Sequence, residues 1–440
     1  MAGALQLEDF DDPKFNPFFE DSLAFGADPN PYPRIAELRE KGSVQKGDYR
    51  VLMGAAADLT MSDVAHYCVF GYDEVAQVLG DPVTFSNKSY ERNIGISFGR
   101  SISTMDAPEH PRYRRIFQKA FLPHTVAAWG DTLVDPVVNE LMSKFMDRGN
   151  ADLVNEFTLH YPFNIIYRQL ALPPEDVKIF HKLAIAQTLV SIDVAHGVEA
   201  STKLGAYFAR LVEERRSKPG DDLVSSLAIA EVDGELLPDE VVISFLRQLV
   251  NAGGDTTYRA TSVLLLALLR DPAQLEAVRQ DRTLVAQAIE EALRWDGPVL
   301  MQSRMASRDV TLGGVEIPAG AFLDVLAGSA NRDPSRFPDP DKFDIYRKPA
   351  HRHFAFAYGP HVCIGQHLAR VEMTRALNAI LDRLPNLRLD PAAAAPPING
   401  IMMRVPHSIP VVFGYPEQRQ PRVSWTRLAD KTRVTGQLTR

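Results

Sequence analysis

One cysteine stands in a sequence setting that suits metal ligation. Residues 354–370 read FAFAYGPHVCIGQHLAR, in which Phe356, Gly359, Cys363 and Gly365 give the spacing F-x-x-G-x-x-x-C-x-G. Apolar residues recur at helical spacing after Gly365, so an amphipathic helix is predicted directly behind the cysteine. The positive end of that helix favours a thiolate over a thiol. The pattern predicts a thiolate ligand for haem iron, whereas a lone cysteine is more often a small buried apolar residue.

The residues around this cysteine are expected to shape a cofactor site. We expect Gly359 and Gly365 to adopt backbone conformations that other residues avoid, so that the chain turns closely around a planar group. Phe356 is expected to place an apolar ring near the sulfur and to limit the access of water.

A second segment whose residues could take part in a reaction lies upstream of the cysteine. Residues 238–270 are mostly apolar and carry no internal proline, which predicts one long helix of roughly 50 Å. Gly253 and Gly254 lie in its middle, where each costs about 1 kcal/mol relative to alanine. Either a widened turn that admits a small molecule or a close crossing with another helix would explain them. Asp255 and Thr256 follow, although the threonine hydroxyl could merely bond the carbonyl four residues earlier.

Charged pairs at helical spacing complete the set of motifs. Glu291 and Arg294 are three residues apart, and His110 and Arg114 are four apart, so each pair shares a helical face. Each spacing is common on solvent-exposed helices, so the spacing alone indicates little. The position of each pair in the chain relative to Cys363 is what favours a functional role.

These ordered motifs resemble the haem-thiolate cytochrome P-450 superfamily, in its soluble bacterial branch, from about residue 12 to about residue 415. The resemblance implies a mainly α fold with small β-sheets, in which haem b lies between a long central helix and the cysteine loop. It implies that Cys363 is the axial iron ligand and that Asp255 and Thr256 form the acid–alcohol pair that relays protons during oxygen activation. It also makes Glu291 and Arg294 a buried structural pair, joined by a further arginine, either Arg336 or Arg347.

The resemblance further assigns the residues that hold the haem and the substrate. Each of the cationic positions, taken singly, could instead be a solvated surface charge. The expected propionate ligands are His110, Arg114, Arg304 and His361. The expected substrate contacts, in a mostly apolar pocket, are Gln248, Asn251, Ala252, Leu300 and Ile401. For Gln248 and Asn251, the alternative to a hydrogen bond with substrate is a satisfied polar contact elsewhere.

Composition narrows the partners and the location of the chain. The formal net charge of −8 argues against nucleic acid as a partner. Two cysteines, Cys68 and Cys363, cannot form a disulfide framework, which favours a cytoplasmic location. The first 19 residues are acidic and lack an apolar run, so no membrane anchor is expected. We expect one haem domain over residues 1–416 and a basic, largely flexible tail over 417–440.

The expected activity is that of a monooxygenase which hydroxylates or oxidatively demethylates a small to medium hydrophobic substrate with O2. No flavin or iron–sulfur segment follows the haem motifs, so electrons are expected from NAD(P)H through a separate ferredoxin or flavodoxin and its reductase. A peroxide-driven peroxygenase is one alternative, although Asp255 and Thr256 argue against it. A haem-thiolate gas sensor or electron carrier is another. Dehydrogenation or C–C bond formation on the same fold stays open.

Overall fold

The computed structural model describes residues 5, 7–17, 25–348 and 350–414. The predicted flexible tail, 417–440, lies outside these residues, as does much of the N-terminal segment. Among the described residues, no helix combines the length and the apolar character needed to cross a membrane.

Helices make up most of the described chain. Their bounds are α1 Tyr32–Lys41, α2 Tyr49–Leu52, α3 Tyr72–Gly80, α4 Ile94–Phe98, α5 Glu109–Ala120, α6 Pro123–Trp129, α7 Asp135–Met142, α8 Tyr161–Gln169, α9 Val177–Ala186, α10 Val194–Ser217, α11 Leu223–Ala228, α12 Asp239–Ala252, α13 Asp255–Arg270, α14 Pro272–Gln280, α15 Leu284–Asp296, α16 Ala327–Ala330 and α17 Gln366–Arg383.

The strands are short and form small sheets. Their bounds are β1 Val44–Lys46, β2 His66–Val69, β3 Phe85–Ser86, β4 Asn150–Asp152, β5 Glu231–Val232, β6 Glu235–Leu236, β7 Gln302–Ala306, β8 Val310–Leu312, β9 Val315–Ile317, β10 Phe322–Val325, β11 Arg388–Leu389 and β12 Pro410–Val412. The largest sheet has the order β1-β2-β10-β7-β3, with β2 and β10 parallel. A second sheet has the order β11-β12-β4, and β5-β6 and β8-β9 are hairpins.

The core of the molecule forms around α13. This helix is buried on nearly every side, and its second half, from Val263 to Leu269, is entirely apolar. Its leucines pack with α15 and α17 in one buried cluster. Because α17 begins directly after the cysteine loop, this packing fixes the loop relative to the start of α13.

The long central helix differs from the prediction because it is interrupted. Two helices, α12 and α13, replace the continuous span expected over 238–270, and Gly253 and Gly254 separate them. A Cβ on Gly253 would lie 2.6 Å from Cδ1 of Ile166, and one on Gly254 would clash with Phe163. Both neighbours belong to α8, so the close helix crossing explains the two glycines.

Candidate active site

The loop that carries Cys363 docks against α3. The amide of Cys363 donates to the carbonyl of Phe356 at 2.9 Å, which closes the turn. Gly359 has φ +72°, and a Cβ there would lie 2.5 Å from the carbonyl oxygen of Leu79, so glycine is required. The matching expectation for Gly365 is wrong, because its φ is −85°. A Cβ on Gly365 would meet only the Cys363 sulfur, at 4.0 Å.

The sulfur of Cys363 lies at the N-terminus of α17. Burial raises the pKa of this thiol, while the backbone N–H groups of Gly365 and Gln366 and the charge of Arg114 act in the opposite direction. The helix end therefore favours the thiolate as predicted, but burial outweighs it in the protein alone. A bound metal cation would deprotonate the thiol. The ring of Phe356 is covered by the Arg370 guanidinium at 4.4 Å, so the aromatic wall of the loop is held in place.

Cys363 faces two adjoining cavities of about 250 and 270 Å³. Ala252 from α12, Gln302 from β7 and His361 line both of them. Thr256 lines the first cavity, so the structure brings the cysteine loop and the start of α13 to one space. The wall is mostly apolar, with Phe121, Ile166, Leu249 and Val299 in the first cavity and Ile94, Ile102 and Phe245 in the second.

Two arginines place positive charge at the second cavity. Arg114 and Arg304 both line it. The Arg114 guanidinium donates to the carbonyl of Val362, and that of Arg304 donates to the carbonyl of Ser303 at 2.7 Å. Neither forms an ion pair with a carboxylate among the described residues, and burial lowers the pKa of both. A buried cation without a counter-charge is costly, so this arrangement suits an anionic ligand.

Two histidines lie beside these arginines. The rings of His110 and His361 are 3.9 Å apart, and Asn87 Nδ2 is 3.0 Å from Nδ1 of His361. Burial lowers the pKa of His110 to about 4 and that of His361 to about 2, so both rings are neutral at pH 7. Nε2 of His110 is buried and makes no hydrogen bond within the described chain. A thiol in an apolar cavity, two uncompensated cations and an unused ring nitrogen together fit a haem with its propionates.

Asp255 and Thr256 face different surroundings although they are neighbours. The Asp255 carboxylate is buried, and both of its oxygens lie 3.0 Å from Nε of the buried Arg259. The Thr256 hydroxyl donates to the carbonyl of Ala252 at 3.2 Å and lines the first cavity. The back-bond raised as an alternative for Thr256 is therefore present, and the residue also has access to the cavity.

The pair on α15 is buried, and the structure identifies its third member. Glu291 accepts from Nε and Nη2 of Arg294 at 2.7 and 2.8 Å and from Nε of Arg347 at 3.0 Å. Arg336 instead pairs with Asp73, at 2.6 Å to Oδ1. Arg347 also donates to the carbonyls of Asp339 and Lys342, both at 3.0 Å, so the network ties α15 to the segment ahead of the cysteine loop.

The residues expected to contact substrate divide into two groups. Gln248 lines the second cavity and Ala252 lines both. The Asn251 amide donates to the carbonyl of Ala184 at 3.2 Å, which is the satisfied contact named as its alternative. The structure does not bring Leu300 or Ile401 to either cavity. Leu300 packs in a separate core cluster, and the Ile401 carbonyl accepts from Tyr49 at 2.7 Å.

Two further residues at the cavities went unnoticed in the sequence. Gln302 begins β7, and its Oε1 is buried with no hydrogen-bond donor among the described residues. Glu372 is fully buried on α17 and lines the first cavity. Burial raises the pKa of its carboxyl group well above the usual range, which favours the protonated form. Glu372 follows Leu368 by four residues, so helical spacing places it on the apolar face of α17. An acidic residue on an apolar face was the feature that could have identified it from the sequence.

Known proteins resemble this chain in sequence. A sequence model of the cytochrome P-450 family matches residues 183–406. The putative cytochrome P-450 YjiB of Bacillus subtilis is 35% identical over 332 residues, covering 73% of this chain and 82% of the relative. The cytochrome P-450 monooxygenase PikC of Streptomyces venezuelae is 34% identical over 379 residues, covering 83% and 86%.

Solved structures agree in fold. CYP109E1 from Bacillus megaterium in complex with testosterone has a TM-score of 0.76 and 31% identity, covering 88% of this chain and all of that one. CYP109Q5 from Chondromyces apiculatus has a TM-score of 0.76 and 32% identity, covering 91% and 98%. The family match spans half of the chain, and the relatives cover a larger share of it, 73% and 83%. The chain therefore belongs to the cytochrome P-450 family and is a haem-containing monooxygenase.

Proposed function

We propose that this monooxygenase receives electrons from NAD(P)H through a separate ferredoxin or flavodoxin and its reductase. Its substrate is a small to medium hydrophobic compound, which it hydroxylates or oxidatively demethylates. The observation that carries the proposal is that Cys363 and Thr256 line one mostly apolar cavity. A sulfur that can bind a metal and a hydroxyl that can hold a proton thus share one space.

Different residues at the cavities would bind different parts of the haem. Cys363 would bind the iron through its thiolate. Arg114 and Arg304 would neutralise the propionates, and the neutral rings of His110 and His361 would offer hydrogen bonds to them. Haem held in this way supplies the activation of O2 and the oxidation of a C–H bond.

Asp255 and Thr256 are proposed to handle the protons. Thr256 presents its hydroxyl at the cavity, and rotation of its side chain away from the Ala252 carbonyl would turn the O–H toward the bound ligand. Asp255 lies outside the cavities, where Arg259 holds its carboxylate. When the Asp255 carboxylate leaves Arg259 and takes up a proton, it can deliver that proton to the side of α13 that carries Thr256. The strength of the ion pair with Arg259 then determines how readily Asp255 leaves.

The lining of the second cavity supports a hydrophobic substrate that carries a hydrogen-bond donor. Ile94, Ile102, Phe245 and Leu249 provide apolar contact. The buried Oε1 atoms of Gln248 and Gln302 make no hydrogen bond with the described residues and can accept from a hydroxyl group. The similarity to CYP109E1, which was solved with testosterone, is consistent with such a substrate.

A basic groove supports an acidic electron donor. This groove, of about 940 Å³, lies on the outer side of the cysteine loop, where Phe356 and Gly359 line it. Lys348, His351 and Arg352 are exposed along it. Electron-transfer contacts are small and are guided by charge, so an acidic partner would be steered toward the loop that holds Cys363.

Turnover with labelled dioxygen tests this function. Hydrophobic compounds that shift the haem spin state would be incubated with ferredoxin, reductase, NADPH and heavy-oxygen dioxygen. We expect one labelled oxygen atom in the product. Asp255→Asn should lower the turnover rate, and Thr256→Ala should lower the yield of product per NADPH, each by roughly a hundredfold if they act as proton donors.

Thr202→Ala is the matched control, because the Thr202 hydroxyl makes the same i−4 bond on an exposed helix. It should leave both quantities unchanged. Unlabelled product, or equal turnover with peroxide alone in all variants, would contradict the proposed electron supply and proton relay.

A further inference from the structure

A cluster of metal-ligand side chains lies at the edge of the five-stranded sheet, apart from the haem cavities. His66 and Cys68 are two residues apart on β2, so their side chains share one face of the sheet. Asp324 on β10 pairs with Cys68 in the parallel register. Asp48 follows β1 across a turn in which the amide of Gly47 donates to the carbonyl of His66 at 2.8 Å. Three separate chain segments therefore converge here.

The spacing of these groups suits a single cation. One ligand atom each from Asp48, His66 and Asp324 lie within 4.8 Å of one another. Nδ1 of His66 is 3.9 Å from Oδ2 of Asp324, and the Cys68 sulfur is 4.0 Å from the same oxygen. Ligands bound tetrahedrally at about 2.1 Å lie roughly 3.4 Å apart, so a contraction of at most about 1.4 Å would complete the site.

The ring of His66 is oriented as metal-bound imidazoles are. Nε2 lies 2.9 Å from the carbonyl oxygen of Met61, so this nitrogen carries the hydrogen and donates it. Nδ1 then has a lone pair, and it is buried without a hydrogen bond among the described residues. Metal-ligating histidines usually donate the other ring N–H to a carbonyl or a carboxylate in this way.

Charge at the cluster also favours a divalent cation over a simple ion pair. A protonated His66 whose Nδ1 donates to Asp324 is the competing arrangement. At 3.9 Å, however, the two groups are too far apart for a hydrogen bond. The carboxylates of Asp48 and Asp324 form no ion pair with a lysine or an arginine among the described residues. One protonated His66 would therefore leave the cluster with a net negative charge.

We infer that His66, Asp324 and Asp48 form a zinc site, distinct from the haem site. The Cys68 thiol lies beside this site and donates to the carbonyl of Gly47 at 3.2 Å. One imidazole nitrogen and two carboxylate oxygens, with a water molecule in the fourth position, form a donor set that suits Zn²⁺. The site would fasten β1, β2 and β10 together. Asp324 also pairs with Ser303 on β7, next to Arg304, so the fastened sheet supports a strand that reaches the haem cavity. Zinc bound only by the folded protein raises its stability.

Zinc titration of the haem-loaded protein tests this inference. The protein would first be dialysed against a chelator, then titrated with Zn²⁺ by calorimetry, with bound metal counted by mass spectrometry. We expect one zinc per chain in addition to iron, and a melting temperature that rises by a few degrees on binding. His66→Gln and Asp324→Asn should weaken binding by tenfold or more and remove the rise. His124→Gln, at an exposed histidine on α6, is the control and should bind as the wild type does.

Folding of each variant is checked by its reduced, carbon monoxide-bound spectrum. Should His66→Gln not fold, Asp48→Asn at the partly exposed edge of the cluster provides the same comparison. Absence of stoichiometric zinc in the wild type would overturn the inference and leave the ion pair as the explanation. Equal zinc affinity in the wild type, His66→Gln and Asp48→Asn would overturn it as well.

Discussion

Around Cys363, single side chains owe their charge state to burial. His110 and His361 are neutral at pH 7 because burial lowers the pKa of each ring, and burial raises the pKa of the Glu372 carboxyl group. Arg114 and Arg304 keep their charge, since a guanidinium does not lose its proton in proteins. The second cavity therefore carries fixed positive charge beside apolar walls, which is what an anionic, planar cofactor needs.

Gln302 provides a prediction at this scale. Gln302→Leu removes a buried acceptor, so compounds with a hydroxyl donor should bind roughly 2- to 12-fold more weakly, while analogues without it should not. Spin-state titrations of matched pairs of compounds measure the difference. Asn251→Leu is the control, because the Asn251 amide is already bonded to the Ala184 carbonyl. A loss of affinity that is equal for both members of each pair would contradict the role of Gln302.

The roles of some residues could be predicted from the sequence, whereas those of others could not. The spacing around Cys363 was sufficient to predict the loop, because a short local motif determines its own turn. Leu300 and Ile401 were assigned to the pocket because the resemblance indicates which segments line it, but both residues are buried in the core and line neither cavity. Gln302 and Glu372 escaped notice because nothing local distinguishes a buried polar residue until the strands and helices around it are packed.

At the scale of elements, the crossing of α8 over Gly253 and Gly254 sets the start of α13. The hydrophobic pattern predicted the helical segments on both sides, but the interruption depends on a tertiary contact that no periodicity records. Arg347 is a similar case. Arg336 and Arg347 were equivalent in sequence, and only the path of the chain after β10 shows which of them reaches Glu291.

Glu291 yields a prediction about the stability of this framework. Glu291→Ala would leave Arg294 and Arg347 without their shared carboxylate, and breaking such a buried pair costs about 3–5 kcal/mol. We expect a loss of that size in the free energy of unfolding, together with weaker haem retention, both followed in denaturant titrations.

Glu37→Gln is the comparison for Glu291, because Glu37 forms an exposed pair with Arg34 that is worth about 0–1 kcal/mol. If Glu291→Ala does not fold, Glu291→Gln keeps the shape of the side chain and removes its charge. Equal losses for the Glu291 and Glu37 variants would show that the network adds no stability.

At the scale of the whole molecule, the cysteine loop borders both the haem cavities and the basic groove. Phe356 lines both the groove and the first cavity, so the loop is the wall between them. If the proposed electron donor binds in the groove, its electron would have only this loop to cross. The family match and the mainly helical fold were predicted from the ordered motifs, whereas the groove depends on how distant segments pack.

Charge reversal at the groove checks the proposed docking face. Arg352→Glu should lower the second-order rate of reduction by an acidic ferredoxin or flavodoxin about tenfold or more at low salt, and less as ionic strength rises. Stopped-flow reduction gives the rate. Lys178→Glu changes the same charge at an exposed site on α9, beside a different cavity, and should have little effect. Equal slowing by both variants would mean that the overall charge of the molecule, not this groove, guides the partner.

The central claim is that Cys363 supplies the thiolate ligand of the haem. The most direct measurement is the absorption spectrum of the dithionite-reduced protein under carbon monoxide, for the wild type, Cys363→Ala and Cys68→Ala. We predict a strongly red-shifted Soret band for the wild type and Cys68→Ala, and its absence in Cys363→Ala. The same band in Cys363→Ala, or an unshifted band in all three proteins, would contradict thiolate ligation and the function built on it.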